Sequence, residues 1–450
     1  MRARIVDLWD RLRTSYWFLP LVIAASFALL ALALNALDER LPSGMLRDAW
    51  FVYQRDAADA RSLLLAIAGG TLGILGVVLS ITVVPLTIAA AQLGPRLLRN
   101  FLRDVTTQAT SGIFCGSFIY CMLLALWLPA SGEAPLPRIA VTLGLLLPIA
   151  SVVVLIIFIH HVSVSVQAPN VIAEVAAELR EAIEEAFPPR GATTAPQLAE
   201  AHEARATVAH EGQTLAATGE GYVRAIDYAG LIDAAARHNI VLLLRHMPGD
   251  FVVSGDVLAL VWPAERAAEA CAEAVNDAFI YGESRTLTQD VEFGINSLVE
   301  VALRALSPAI NDPFTAMACL DWLASALSFA SGRSCPSPFI YDDADTLRVI
   351  TDPLTYPRII DAAFNQIRQY GRTNAEVLIR MLHAIALVGA RAVNAEERRA
   401  LQHHAQLIEH DSRTGLATPA DQLRVRTAYN QVVVVLGPQE QDVLRESALP

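Results

Sequence analysis

The sequence predicts a mainly α-helical membrane protein, in which a four-helix transmembrane region precedes a mostly helical cytosolic domain with a small β-rich element. Four apolar segments in the first third contain no Asp, Glu, Lys or Arg. Each reaches the ~20 residues needed to cross a hydrocarbon core of about 30 Å. The later part of the chain is more polar and repeats apolar residues with a helical period. The predicted spans are 17–37, 63–92, 111–129 and 139–160.

The composition excludes several classes of function. The net charge of −12 disfavours nucleic acid as a partner, because phosphate binding needs a basic surface. The chain contains no lysine, so all 34 basic residues are arginine. A Walker-type phosphate loop, a Schiff-base enzyme and lysine-linked biotin or lipoate are therefore excluded.

The cysteines indicate neither a disulfide framework nor a zinc site. None of the five stands in a CxxC arrangement, which favours free thiols in a reducing compartment. The sequence also contains no GxSxG, HExxH or HxxEH motif. We therefore expect no metal, no cofactor and no enzymatic activity. The cysteines are Cys115, Cys121, Cys271, Cys319 and Cys335.

Arginines at the ends of the spans predict the orientation in the membrane, because positive residues concentrate on the cytoplasmic side. Four arginines precede the first span, and Arg96, Arg99 and Arg103 lie between the second and third spans. The other two loops are mixed in sign or nearly neutral. We therefore expect a multi-pass inner-membrane protein in the lipid bilayer, with both termini in the cytoplasm.

Small residues recur along one face of the second span. Gly69, Gly73, Gly76, Ser80 and Thr87 share that face at helical spacing. Small side chains allow two helix backbones to approach closely in lipid, so tight helix packing is one interpretation. The other is a narrow pore lined by these residues.

The third span has a second small-residue pair, Gly112 and Gly116.

The spans contain no charged residue, which disfavours ion-coupled transport, because such transporters place ionisable groups at midplane. A gated pore with a hydrophobic constriction is still compatible with this pattern. In that case Arg96, Arg99 and Arg103 would shape the inner mouth and favour anions, or they would bind anionic lipid head groups. His160 and His161, at the end of the fourth span, are candidate pH-sensing or gate residues.

Composition divides the chain into five segments. The stretch PGDFVVSGDVLALV resembles the repeated half of biotinyl/lipoyl-type barrel-sandwich domains. Because the lysine that such domains modify is absent, the resemblance implies only a small β element. We predict a transmembrane domain over 1–165, an amphipathic connecting helix over 166–189, a flexible linker over 190–219, a β-rich subdomain over 220–263 and a helical domain over 264–450.

A sharp turn between two predicted helices of the last segment contains Ser307, Asn311 and Asp312. Asn311 or Asp312 can cap the following helix, and Pro313 suits its first turn. A ligand or subunit contact at this turn is the alternative.

Five sequence blocks resemble one bacterial family of predicted membrane proteins, DUF2254, in the family's order. The resemblance implies four spans and a cytosolic domain, and it brings no activity or catalytic residue with it. Where members of the family read SQFSPR, this chain reads AQLGPR over residues 91–96, with Gly94 in place of the serine that precedes the proline. The blocks are LSITVVPLTIAAAQLGPRLLRNFLRD, GIFCGSFIY, FIHHVSVSVQAPNVI, GYVRAIDYAGLI with PGDFVVSGD, and RALSPAINDPFTAMACLDWL.

Together these features favour an oligomeric membrane pore or channel-like protein that conducts ions, with a cytosolic domain that assembles and gates it. Four uncharged helices are too few to enclose a wide pore, so we expect a homo-oligomer. The alternative is a membrane-anchored sensor or scaffold whose cytosolic domain binds a partner or a small ligand near residues 307–315.

Overall fold

The computed structural model describes residues 17–40, 52–93, 104–129, 136–165, 167–189, 195–267 and 269–437. The chain separates into two compact units, with the boundary after Asn170. Each unit is described in turn.

The N-terminal unit contains four long apolar helices that overlap the four predicted spans. The third helix packs against each of the other three and lies at the centre of the bundle. Buried side chains of the core include Leu64, Tyr120 and Leu124. The helices are α1 (Phe18–Arg40), α2 (Ala57–Leu93), α3 (Val105–Trp127) and α4 (Arg138–Ser165).

Polar contacts fix the ends of this bundle. The Asp38 carboxylate at the end of α1 accepts hydrogen bonds from the backbone N–H groups of Ile139 (3.2 Å) and Ala140 (3.0 Å). It thus satisfies donors that the first turn of α4 would otherwise leave without a partner. The Tyr120 hydroxyl on α3 donates to the Ala140 carbonyl oxygen at 2.8 Å. These bonds fix the positions of α1, α3 and α4 relative to one another along the bundle axis.

The glycines of α3 are contact points with α1. A Cβ atom added to Gly116 would lie 2.7 Å from Cγ of Phe27, and one added to Gly112 would lie 3.0 Å from Cα of Pro20. Only glycine allows the two backbones to come this close.

Five described helices are long and apolar enough to cross a membrane. Four are α1 to α4. The fifth, Pro313–Ala330, belongs to the C-terminal unit, where half of its apolar window is buried. The count of four spans therefore stays a prediction, whereas a membrane protein with several candidate spans is established.

The C-terminal unit combines ten further helices of the described chain with eight short strands. The helices are α5 (Ala168–Ala186), α6 (Ala195–Glu211), α7 (Tyr228–His238), α8 (Glu269–Ala278), α9 (Val291–Ala305), α10 (Pro313–Ala330), α11 (Tyr356–Gly371), α12 (Ala375–Gly389), α13 (Ala395–Gly415) and α14 (Pro419–Leu436). The strands are β1 (Gln213–Ala216), β2 (Gly221–Ile226), β3 (Val241–Leu244), β4 (Phe251–Val252), β5 (Val257–Trp262), β6 (Phe279–Gly282), β7 (Phe339–Tyr341) and β8 (Leu347–Ile350).

The strands form two sheets. The larger has the order β1-β5-β3-β8-β7, in which only the β3–β8 pair is parallel. The smaller is antiparallel, with the order β4-β2-β6. Strands β3 and β5 are almost fully buried, as expected for central strands covered on both faces.

Three expectations for this region need correction. The predicted flexible linker over 190–219 contains helix α6 and strand β1. The β structure extends beyond 220–263, since β1, β6, β7 and β8 lie outside that range. The barrel-sandwich resemblance is not confirmed, because the strands divide into two sheets with long-range pairing.

Helical structure dominates the last part of the chain, as the periodicity predicts. Helix α10 packs against α9 and α12, and α12 packs against α14. The Asp321 carboxylate of α10 forms an ion pair with Arg380 of α12. Helix α10 is a core helix of its unit, because it buries the side chains of Leu320, Leu323 and Leu327.

Candidate functional site

Helix α2 has two different faces. The buried residues Ala60, Leu64, Ala68, Thr71 and Val78 recur at helical spacing and contact the bundle. The predicted small-residue face, Gly69, Gly73, Gly76, Ser80 and Thr87, is exposed throughout. At roughly 100° per residue the centres of the two faces are about 160° apart around the helix axis. The small-residue face thus points away from its own bundle.

The glycines of this face contact nothing within the chain as described. A Cβ atom added to Gly69, Gly73 or Gly76 would meet no atom within 4 Å. Among the described residues these glycines therefore have no packing partner, and both interpretations of the pattern, close helix packing and a pore lining, stay predictions. The Ser80 hydroxyl donates to the carbonyl oxygen of Gly76 at 2.9 Å, which satisfies it inside the helix.

One end of the bundle, at the start of α3 and the end of α4, contains a carboxylate–imidazole pair. Asp104 caps α3 by accepting from the N–H groups of Thr106 and Thr107, both at 3.1 Å. Nε2 of His161 on α4 lies 3.0 Å from Asp104 Oδ2, whereas His160 is exposed. His161 therefore connects the start of α3 to the end of α4. The predicted mouth residues Arg96, Arg99 and Arg103 lie outside the described residues.

The turn before α10 is built for capping. Asp312 accepts from the N–H groups of Phe314 and Thr315 at 3.1 Å and from the Thr315 hydroxyl, and these bonds hold the pKa of its carboxyl below the usual range. Asn311 has a left-handed backbone, with φ of 51°. The Ser307 hydroxyl donates to the Arg304 carbonyl oxygen. Helix capping thus explains Asp312, and none of these three side chains lines a described cavity.

A cavity of about 510 Å³ lies within the C-terminal unit. Six segments form its walls: the end of α5, the start of α7, the end of β3 with the loop that follows it, the start of α9, the segment leading into β7, and the segment from β8 into α11. The size is within the range of small-molecule sites, roughly 300–1,000 Å³. In the part of the chain that the structure describes, no group of three His, Cys, Asp or Glu side chains is placed to hold a metal ion.

One wall of the cavity is fixed by a buried ion pair. Nε and Nη2 of Arg285 donate to the two carboxylate oxygens of Asp290 at 2.7 and 2.8 Å. Asp290 also caps α9 by accepting from the Phe293 N–H at 2.9 Å. Gly249 packs directly on this carboxylate with φ of 98°, and an added Cβ atom would overlap Asp290 Oδ2.

Most carboxylates of the cavity already have a cationic or N–H partner. Glu292 accepts from Nε of Arg358 at 2.9 Å, and Asp352 pairs with Arg205. Asp250 accepts from the Met247 N–H at 2.9 Å and lies 3.9 Å from Nδ1 of His246.

Three polar side chains that line the cavity have no such partner among the described residues. The Arg245 guanidinium has no carboxylate within 4.0 Å, and the Glu185 carboxylate has no cation within that distance. The hydroxyl of half-buried Tyr228 makes no hydrogen bond, and burial raises the pKa of this group. The hydroxyl therefore stays protonated at neutral pH and is a donor.

Little in the sequence indicates this cavity. Its residues come from six separate segments, and no motif links them. The one local signal is the Pro248-Gly249-Asp250 turn directly after Arg245 and His246, which the sequence indicates only as a connection between strands.

These features define a membrane protein with several candidate spans and a second unit of helices and two sheets that contains a ligand-sized cavity. A family model described as "Predicted membrane protein (DUF2254)" matches residues 13–386. The chain belongs to this family.

Relatives in two mycobacteria are uncharacterised proteins. The chain is 30% identical over 448 residues to a protein of Mycobacterium tuberculosis strain H37Rv, a match that covers 97% of this chain and 83% of the relative. The match to a protein of Mycobacterium bovis has the same identity and coverage. No solved structure matches the chain.

Proposed function

We propose that this protein assembles into a homo-oligomer in the inner membrane, with both termini in the cytoplasm. In this assembly the small-residue face of α2 surrounds a narrow, gated ion pore. The observation that supports the proposal is the direction of that face, which lies opposite to the side of α2 that contacts the bundle. The C-terminal unit would assemble the subunits and gate the pore, and no catalytic step is involved.

The physical argument concerns the cost of glycine in a helix. Each glycine in a helix interior costs about 1 kcal/mol relative to alanine. A glycine that faces lipid tails recovers none of this cost, whereas one that meets another helix backbone gains close packing. Three glycines on the outer face of α2, at positions 69, 73 and 76, are therefore best explained by contact with a second copy.

The same face suits a path for ions. In a ring of subunits, backbone groups and the side chains of Ser80 and Thr87 would line the axis without any fixed charge, and dewetting at a narrow point would close it. Arg96, Arg99 and Arg103 would favour anions at the inner mouth or bind anionic lipid head groups.

Cysteine crosslinking tests the assembly. In a chain whose five cysteines are replaced by serine, we expect Gly73→Cys to form disulfide-linked dimers in membranes under mild oxidation. The control is Val153→Cys on α4, which is 53% exposed but lies on another helix. Equal crosslinking at both positions would indicate random collision and contradict the assembly.

Ion flux tests the pore. Liposomes that contain the purified protein and a chloride-sensitive dye should show flux that disappears in Gly73→Leu. Crosslinking at Gly73 without flux at any pH, voltage or tension would support the oligomer and overturn the pore.

A sensor or scaffold is the second candidate, and the cavity in the C-terminal unit favours it. In this function the membrane helices anchor the unit and the cavity binds a small ligand, rather than the turn at residues 307–315. Ligand binding by a protein without flux would support this candidate over the pore.

A further inference from the structure

We propose that the cavity of the C-terminal unit binds a small organic anion with an apolar body, and that Arg245 binds the anionic group. This inference deepens the sensor candidate and is independent of the pore. The ligand class is a carboxylate or a phosphate monoester attached to an aromatic or aliphatic group.

The charge pattern of the cavity supports an anion. Four of its carboxylates, Asp250, Asp290, Glu292 and Asp352, are neutralised or hydrogen-bonded within the unit. Arg245 lines the cavity with no carboxylate within 4.0 Å among the described residues, so its five N–H donors face solvent or a ligand. Guanidinium groups match carboxylate and phosphate oxygens with two parallel hydrogen bonds.

A neutral donor lies in the same cavity. The Tyr228 hydroxyl has no hydrogen-bond partner in the described chain and stays protonated at neutral pH. Because Tyr228 lines the cavity, a ligand oxygen would accept a hydrogen bond from this hydroxyl.

The remainder of the lining favours an apolar body. Leu244, Ile340 and Leu354 line the cavity together with the ring of Tyr228. Ligand sites of this kind typically combine an apolar lining with a few fixed polar groups.

The polar wall is held in place before any ligand binds. The bidentate Arg285–Asp290 pair, the cap on α9 and the contact of Gly249 fix the loop that carries Arg245 against the start of α9. The N–H of Gly249 also donates to the Val223 carbonyl oxygen at 2.8 Å. Because this wall is preorganised, a ligand loses little binding free energy to ordering it.

Calorimetric titration of the full chain in phosphatidylcholine nanodiscs tests the proposal. The probes are phenyl phosphate, benzoate, benzyl alcohol and benzylamine, which share a ring and differ in charge. We expect phenyl phosphate and benzoate to bind, benzyl alcohol to bind at least tenfold more weakly, and benzylamine not to bind.

Substitutions then assign the contacts. Arg245→Gln should weaken phenyl phosphate by about tenfold or more, because a hydrogen bond to a charged group is lost. Tyr228→Phe should weaken it by a smaller factor. Arg237→Gln is the matched control, since Arg237 is an exposed arginine of the same unit that does not line the cavity.

Three results would overturn the proposal. They are no binding of either anion, binding of phenyl phosphate that Arg245→Gln leaves unchanged, and binding of benzylamine that Glu185→Gln abolishes. The last would identify a cation site and still leave the sensor candidate standing, whereas no binding of any probe would count against both.

The phosphate group could come from a soluble ester or from a lipid head group. Nanodiscs that contain phosphatidylglycerol distinguish them. Competition with phenyl phosphate in these discs would support a lipid source, and an unchanged affinity would support a soluble one. Either result agrees with an anion at Arg245.

Discussion

Two glycine faces in the membrane unit both have helical spacing, three or four residues, but opposite surroundings. Gly112 and Gly116 of α3 meet α1, with an added Cβ of Gly116 only 2.7 Å from Phe27. Gly73 and Gly76 of α2 meet nothing within 4 Å. A helix face of small residues therefore indicates close contact with another helix. The structure is needed to determine whether that second helix belongs to the same chain. For α2 the described residues supply no such contact, and we propose that a second copy supplies it.

The largest expected effect is on the α3 face. Gly116→Leu should destabilise the subunit by at least about 3 kcal/mol, because the side chain overlaps Phe27 in a packed bundle. Thermal unfolding of the protein in nanodiscs measures this change. Gly70→Leu on α2 is the control, since an added Cβ at Gly70 meets no atom within 4 Å. Similar stability of the two variants would show that α1 and α3 do not pack closely.

The next effect concerns association through α2. Gly73→Leu should leave the fold of the subunit intact but raise the dissociation constant of the oligomer by at least about tenfold, a change of roughly 1.4 kcal/mol. Native mass spectrometry over a dilution series measures the distribution of copies. Gly70→Leu changes a glycine about 60° from Gly73 and about 90° from the centre of the small-residue face, and this variant should dissociate like the wild type. A stronger effect at Gly70 would place the contact on another face.

A smaller effect on stability is expected at the N-terminal cap of α3, the helix whose glycines contact α1. Asp104→Ala removes the acceptor for Thr106 and Thr107 N–H and the contact with His161, so it should cost about 1 kcal/mol, at most about 2. Thermal unfolding again measures it. Asp104→Asn retains a capping oxygen and should keep most of the stability. If Asn were as harmful as Ala, the pairing with His161 would matter more than the cap.

The smallest expected change in stability tests whether the small-residue face of α2 has a contact within its own chain. Gly73→Ala should change the stability of the dissociated subunit by less than about 1 kcal/mol, with a gain expected from helix propensity. The measurement uses detergent at a dilution where copies are separate. A clear loss of stability would mean that Gly73 has a contact within its own chain, and the contrast between the two faces would disappear.

The positions of the four long apolar helices could be predicted from the sequence, because long uncharged segments are readily recognised. The observed helices are longer at several ends, as α2 begins at Ala57 where the predicted span begins at residue 63. The added turns contain charged residues such as Asp59 and Arg61, which a search for uncharged segments leaves out.

Local composition misled the prediction at residues 190–219. Alanine is the strongest helix former, and the alanines among residues 195–211 outweigh the threonines and glycines nearby. Strands β6, β7 and β8 are only three or four residues long. They show too little alternation to be recognised, and their pairing with distant strands decides their conformation.

The candidate sites differ in how much of their geometry could be predicted from the sequence. Spacing alone placed Gly69, Gly73, Gly76, Ser80 and Thr87 on one face, but it could not say which way that face points. It could not predict that Arg245 and Tyr228 line one cavity, because a cavity built from six segments depends on tertiary contacts. For Asp312 the cap predicted from its position before Pro313 is confirmed.

The contact between Gly249 and Asp290 has an evolutionary consequence. A side chain at position 249 would collide with the carboxylate that both holds Arg285 and begins α9, and the backbone at that position has a φ of 98°. A substitution of Gly249 is therefore expected to require a change at Asp290 as well. Among homologues, any that replaces the glycine is expected to have lost the acidic residue as well, and such paired changes would mark the lineages in which this wall of the cavity was rebuilt.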